Sequence, residues 1–262
     1  MLANVLTKLG YAVGVAGDDG GSDTPVVFLH GVGSNRGVWH PQIDHFRGRR
    51  PCFAFDYPGY GESALLPGAT RDDFAAAMLA AMDALDINRA HVCGLSLGGV
   101  IAIAMHHAAP GRCASLILAD TFAIHPDGQA IYDRSFVGSD DMPALATART
   151  PALLGAEASA AIHDEVRTTM ALIDPAAFRI GAEAVWLADQ RDRVAAIAVP
   201  TLVIVGAEDT VTPPRLSCGL VDAIAGAKLA VIPGAGHIAN LEQPEAFNSL
   251  IEDFIVGVET QA

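Results

Sequence analysis

Residues 91–99 read His91-Val92-Cys93-Gly94-Leu95-Ser96-Leu97-Gly98-Gly99, and no other stretch restricts the fold as tightly. An apolar run leads into Gly-x-Ser-x-Gly and then into the helix-compatible Val100-Ile101-Ala102-Ile103-Ala104. The order is strand, sharp turn, helix. A serine at such a corner is held in strained backbone, and the glycines two residues before and after it let neighbouring backbone pass without a Cβ clash. Ser96 then stands clear of the sheet. The first turn of the following helix offers unpaired N–H groups and the positive end of its dipole, both suited to developing negative charge.

The segments around this corner alternate in a way that extends it into a sheet. Residues 4–10 and 11–16 read as an opening hairpin, followed by a polar, glycine-rich loop. Pro25-Val26-Val27-Phe28-Leu29 is a continuous apolar run of the kind buried on both faces of a parallel sheet. It ends in His30-Gly31-Val32-Gly33, where glycine permits a tight turn and the N–H of Val32 can point back into a cleft as an oxyanion donor. A first helix is expected over 36–46, with Trp39 on its cleft-facing side. A strand over 51–56 follows, then the turn Asp56-Tyr57-Pro58-Gly59-Tyr60-Gly61-Glu62-Ser63. Thr70 and Asp73 have capping-box spacing ahead of an Ala-rich helix over 71–85. Beyond the corner come a helix closed by Pro110-Gly111 and a strand over 114–119. The alternation predicts an α/β chain with a doubly wound, mostly parallel sheet.

Residues 121–195 break the alternation. They hold no convincing strand, and breaks at Pro126, Pro143, Pro151 and Pro175 divide them into several short helices. Such an insertion fits a cap over the carboxyl edge of the sheet, with residues 1–120 and 196–262 forming the core. The sheet resumes over 199–206, a helix spans 216–224, a last strand 228–232 and a closing helix 244–256.

At 262 residues and 51% apolar, the chain can bury one large α/β core. Its net charge of -14, with only Lys8 and Lys228 as lysines, argues against nucleic acid or an anionic membrane as partner. Neither a secretory leader nor a spanning segment is legible, and Cys52, Cys93, Cys113 and Cys218 are spaced as reduced core thiols. The expected location is cytoplasmic. His106 and His107 are adjacent, so they diverge on a helix and cannot share a metal, and no dinucleotide fingerprint accompanies the strands. No metal and no cofactor are expected.

Three side chains with complementary chemistry fall at strand ends along one predicted edge: Ser96, Asp209 and His237. A serine hydroxyl needs an imidazole to take its proton, and the imidazole needs a carboxylate to set its tautomer and stabilise its cation. Asp209 is the assigned carboxylate, and Asp120, at the end of 114–119, is its rival. Trp39, Phe122, Phe136, Phe178 and Trp186 are candidates for an apolar substrate wall.

Taken together, His30-Gly31, residues 56–63, the 94–99 corner, residues 206–212 and Gly236-His237 resemble the α/β-hydrolase fold along nearly the whole chain. The phrases at 93–99, 199–204 and 237–242 are similar to 3-oxoadipate enol-lactonases and small carboxylesterases. The resemblance implies an eight-stranded sheet with Ser96 as nucleophile, His237 as base and Asp209 as orienting acid. It also implies an oxyanion hole from the N–H groups of Val32 and Leu97. The expected activity is hydrolysis of a small-molecule carboxylic ester or lactone through an acyl-enzyme. Serine at position 96 speaks against the aspartate-nucleophile chemistries of this fold. Carbon-carbon hydrolysis or perhydrolysis with the same three residues, and ligand reception with slow hydrolysis, are the alternatives. Arg134, Arg149, Arg167, Arg179, Arg191 and Arg193 lie in the insertion, where one could clamp a substrate carboxylate, although eleven Asp and Glu share the region.

Overall fold

The computed structural model describes residues 2–10, 12–21, 23–135 and 140–261. Eight strands form one sheet in the order β1-β2-β4-β3-β5-β6-β7-β8. They are β1 (Leu2–Leu6), β2 (Ala12–Asp18), β3 (Val26–Leu29), β4 (Cys52–Phe55), β5 (Ala90–Leu95), β6 (Cys113–Ala119), β7 (Thr201–Gly206) and β8 (Lys228–Ile232). The β1–β2 and β2–β4 pairs are antiparallel and every other neighbouring pair is parallel. This is the mostly parallel sheet expected from the alternation, with the eight strands that the α/β-hydrolase resemblance implies. The central strands explain themselves: every residue of β3, β5, β6 and β7 is buried, which is what unbroken apolar runs demand when helices cover both faces. At the edge, β8 instead exposes Lys228, Leu229 and Val231.

Helices α1 (His40–Phe46), α2 (Arg71–Ala84), α3 (Leu97–Ala108), α9 (Pro214–Ala223), α10 (Ala239–Glu242) and α11 (Pro244–Thr260) accompany the sheet. The capping box is present as expected, with the Asp73 N–H donating to Thr70 Oγ1 at 3.3 Å and the Thr70 N–H to Asp73 Oδ2 at 2.8 Å. The single helix anticipated over 36–46 is divided. A 3-10 turn covers Arg36–Trp39 and α1 follows, because Pro41 has no N–H to continue a hydrogen-bonded ladder and instead opens a new helix. The opening hairpin is shifted relative to the sequence reading. The turn falls at Thr7 to Gly10, closed by the Gly10 N–H on Thr7 O at 3.0 Å, with Gly10 at φ 85°. Helix α11 runs past residue 256, its buried Phe247, Ile251 and Ile255 recurring every fourth residue.

Between β6 and β7 the chain forms α4 (Gly128–Ser135), α5 (Met142–Leu153), α6 (Ala160–Ala171), α7 (Pro175–Trp186) and α8 (Arg191–Ala195). Asp141, Ser159 and Asp174 cap α5, α6 and α7, so polar residues ahead of each first turn define these helices locally. The only strand-like contact among the described residues of this segment is an isolated bridge between Ile124 and Asp189. Among the described residues no helix is long and apolar enough to cross a membrane. Because β3 to β8 run in parallel, Ser96, Asp120, Asp209 and His237 all follow strands at one edge of the sheet.

Candidate active site

The corner between β5 and α3 is as strained as its sequence requires. Ser96 has φ 55° and ψ -113°, a left-handed conformation unusual for a residue with a side chain. Its N–H still donates to Ala119 O at 2.9 Å, and Thr121 Oγ1 donates to Ser96 O at 2.8 Å, so neighbouring backbone holds the strain in place. A Cβ on Gly94 would strike the backbone of Gly98, and one on Gly98 would strike the carbonyl of Leu29. Only glycine lets α3 start this close to the sheet.

His237 Nε2 lies 3.0 Å from Ser96 Oγ, and His237 Nδ1 lies 2.9 Å from Asp209 Oδ2. All three residues are buried. The Val211 and Thr212 N–H groups each donate to Asp209 Oδ1 at 2.8 Å, and Thr212 Oγ1 donates to Oδ2 at 2.6 Å. Burial alone would push the Asp209 pKa up. The adjacent imidazole and these donors outweigh it and hold the carboxyl at about 2. With Asp209 charged, Nδ1 carries the proton and Nε2 faces the serine as an acceptor.

Asp120, the rival carboxylate, does not reach His237. Its Oδ1 accepts the Gly206 N–H at 2.8 Å, and burial followed by the charge of Asp209 raises its pKa well above the ordinary range. The two neighbouring carboxyls are shifted in opposite directions, so the anionic form is favoured on Asp209.

The loop that carries His237 is held from two sides. Its N–H donates to Leu153 O at 2.8 Å, at the end of α5. Glu242 accepts the N–H groups of Gly155 at 2.6 Å, Gly236 at 3.0 Å and Ile238 at 3.2 Å, joining the helical segment to both flanks of the histidine. Thr212 and Glu242 had no assigned role in the sequence reading. Their signals are an Asx-type Asp-x-x-Thr turn and an acidic residue five positions past the histidine.

On the opposite wall, Tyr57 Oη donates to His30 O at 3.0 Å and the His30 ring packs 4.4 Å from the Tyr57 ring, fixing the Gly31–Val32 turn. Among the described residues neither the Val32 N–H nor the Leu97 N–H has an acceptor within the protein. Both residues lie beside Ser96, Leu97 as the first residue of α3 and Val32 on the cavity wall.

The cavity above Ser96 is lined by Val32, Leu153, Met170, Phe178, Trp186 and Ile238, with Arg149 at its outer side. Of the aromatic candidates, Phe178 and Trp186 therefore face it. Trp39 does not: the 3-10 turn directs Val38 to the cavity, and the indole stacks on Phe28 at 4.9 Å within the core. Phe122 lies behind Trp186, their rings 6.0 Å apart and nearly parallel, so it supports the wall without forming it. Phe136 lies outside the described residues. Cys52, Cys93 and Cys113 are buried and Cys218 is exposed, all as free thiols. Among the described residues no group of three or more His, Cys, Asp or Glu is placed to hold a metal ion.

Residues 26–250 match the family described as Alpha/beta hydrolase family. Among curated proteins, 3-oxoadipate enol-lactonase 2 of Acinetobacter baylyi is 32% identical over 243 residues, covering 89% of each chain. The pimeloyl-[acyl-carrier protein] methyl ester esterase of Neisseria meningitidis is 30% identical over 252 residues, covering 89% of this chain and 77% of its own. Among solved structures, the enol-lactonase from Burkholderia xenovorans superposes with a TM-score of 0.87 at 27% identity, over 97% of this chain and 100% of the other.

Proposed function

From the premise that this chain belongs to the alpha/beta hydrolase family, we propose that it cleaves a carboxylic ester or lactone through an acyl-enzyme. One observation carries the reading: the continuous hydrogen-bonded line Ser96 Oγ, His237, Asp209 within a buried, strand-end site. The esterase and enol-lactonase relatives support the class of bond. Residues 121–195 act as a cap on a core made of 1–120 and 196–262. The buried free thiols support a reducing, cytoplasmic setting.

In the proposed cycle, Ser96 Oγ attacks the ester carbonyl as its proton passes to His237 Nε2. The carbonyl π electrons move to oxygen, and the N–H groups of Val32 and Leu97 stabilise that oxyanion, each by about 3 kcal/mol of barrier. Collapse expels the alkoxide or enolate, which takes the proton from His237. Water then attacks the acyl-enzyme, giving its proton to His237, and a second collapse returns that proton to Ser96 and frees the acid. Asp209 stays ionised throughout and stabilises the imidazolium formed at each half-reaction.

Ser96→Ala is expected to lower turnover of an activated short-chain ester by more than a hundredfold, with an unchanged far-ultraviolet circular dichroism spectrum. Activity above a hundredth of wild type in that variant overturns the assignment.

A further inference from the structure

Most of the chain's Lys and Arg side chains are ion-paired, as expected in a protein of net charge -14. Among the described residues Arg134, Arg149 and Arg215 form no ion pair, and all three line one groove. The other unpaired cations, Arg89 just before β5 and Lys228 at the start of β8, lie at the far ends of the strands. The groove runs between α4 and the loop after β7 and also borders Asp127, His125 and Asp209. Asp209 is committed to His237. His125 adds no charge: its Nε2–H donates to Val211 O at 3.1 Å while its Nδ1 accepts the Asp127 N–H, which requires the neutral ring.

Arg149 and Val211 border both this groove and the cavity over Ser96. The cavity holds about 40 Å³ and the groove about 760 Å³. The inner space suits the reacting end of a substrate, and Arg149 stands at the border where a longer one reaches the groove. Arg149 itself is incompletely matched. Among the described residues its guanidinium makes one hydrogen bond, from Nη1 to Ser135 Oγ at 3.1 Å, and stands 5.8 Å from the centre of the Phe178 ring. Desolvation lowers its pKa, the mark of a cation short of a counter-charge. A planar guanidinium with free donors against an apolar wall is suited to bidentate contact with a carboxylate. In so acidic a molecule, a local basic groove is also what admits an anion to the site.

We propose that this groove is an anion subsite, in which Arg149, assisted by Arg134 and Arg215, binds a carboxylate that the substrate carries at a distance from its scissile carbonyl. The inference rests on the Ser96 hydrolase reading for its substrate, and the test separates the two.

Mono-4-nitrophenyl adipate and 4-nitrophenyl hexanoate share a leaving group and chain length and differ in a terminal carboxylate. The wild-type protein is expected to favour the adipate ester at least tenfold in kcat/KM. Arg149→Ala lowers that ratio about tenfold, Arg149→Lys less, and Arg134→Ala or Arg215→Ala two- to threefold each. Raising salt from about 50 to 500 mM lowers kcat/KM for the anionic ester and leaves the neutral one flat. A wild-type ratio near one, or a ratio unchanged in Arg149→Ala, overturns the subsite while leaving the hydrolase reading intact. Calorimetric titration of Ser96→Ala with adipate and with adipamide gives a readout free of turnover. If neither ester is hydrolysed, the hydrolase reading falls. Arg149-dependent binding of adipate but not adipamide then upholds the subsite, and equal or absent binding overturns it.

Discussion

The floor and the roof of the cleft are built by different means. The floor consists of turns at the ends of parallel strands, where Ser96, Asp209 and His237 meet through hydrogen bonds of 2.9 and 3.0 Å. Backbone N–H groups, glycine contacts and a threonine hydroxyl hold each of these residues. The roof consists of short helices, of which α5, α6 and α7 are capped by polar side chains, and it meets the floor at polar seams. Those seams include Leu153 O on the His237 N–H, Glu242 on Gly155, Glu208 Oε2 accepting the Ala156 N–H at 2.8 Å, and Gln190 Nε2 on Val100 O at 3.0 Å. In the proposed reading the floor, with its over-determined geometry, sets the reaction. The roof, whose inner face is shaped mainly by side-chain packing, sets what enters.

Four substitutions grade this contrast. Asp209→Asn strikes the floor: it removes the charge that orients His237 and is expected to lower kcat about 10⁴-fold while the protein still folds. Because the Asp209 pKa lies below that of an unfolded aspartate, wild type carries a stabilisation that is complete above pH ~4 and lost as pH falls toward ~2. Thermal denaturation of Asp209→Asn across that window should lack this component. A loss of kcat smaller than tenfold would break the comparison.

Glu242→Gln strikes the seam. An amide cannot accept on both sides, so the N–H of Gly155, or those of Gly236 and Ile238, loses its acceptor. Destabilisation of about 1–3 kcal/mol by denaturant titration is expected, with kcat lowered about tenfold and KM little changed. An unchanged kcat would show that the histidine loop holds without the roof.

Phe178→Leu strikes the roof and should change KM severalfold while kcat stays within about threefold, at a stability cost below ~1.5 kcal/mol. A collapse of kcat would mean that the roof positions the reacting bond as well as admitting it. The smallest effect is expected from Asp120→Asn, which replaces a carboxyl whose anion burial disfavours by an isosteric amide and should leave kcat/KM within about threefold. A hundredfold loss would transfer the acid role from Asp209 to Asp120.

Much of this was legible before any coordinates. The apolar runs of β3 to β7, the capping box at Thr70 and the corner at Ser96 follow from local pattern and backbone sterics, and the structure has them where the residues put them. The order Ser96, Asp209, His237 at successive strand ends named the three side chains that the structure joins by hydrogen bonds. The direction of Trp39 was not legible, because it depends on where Pro41 interrupts the first helix. Nor was the order of Phe122 behind Trp186, which is a matter of packing between segments far apart in sequence.

By itself, then, the amino-acid sequence determined the alternating sheet, the strained serine and the set of residues able to act at one edge. These depend on periodicity, glycine placement and chain order, which are local. Tertiary structure alone decided which of two strand-end aspartates pairs with His237 and which aromatics face the cleft. It also gathered into one groove three arginines that have no carboxylate partner among the described residues. Protonation, exposure and pairing are properties of neighbours, and folding brings those neighbours together from distant parts of the chain.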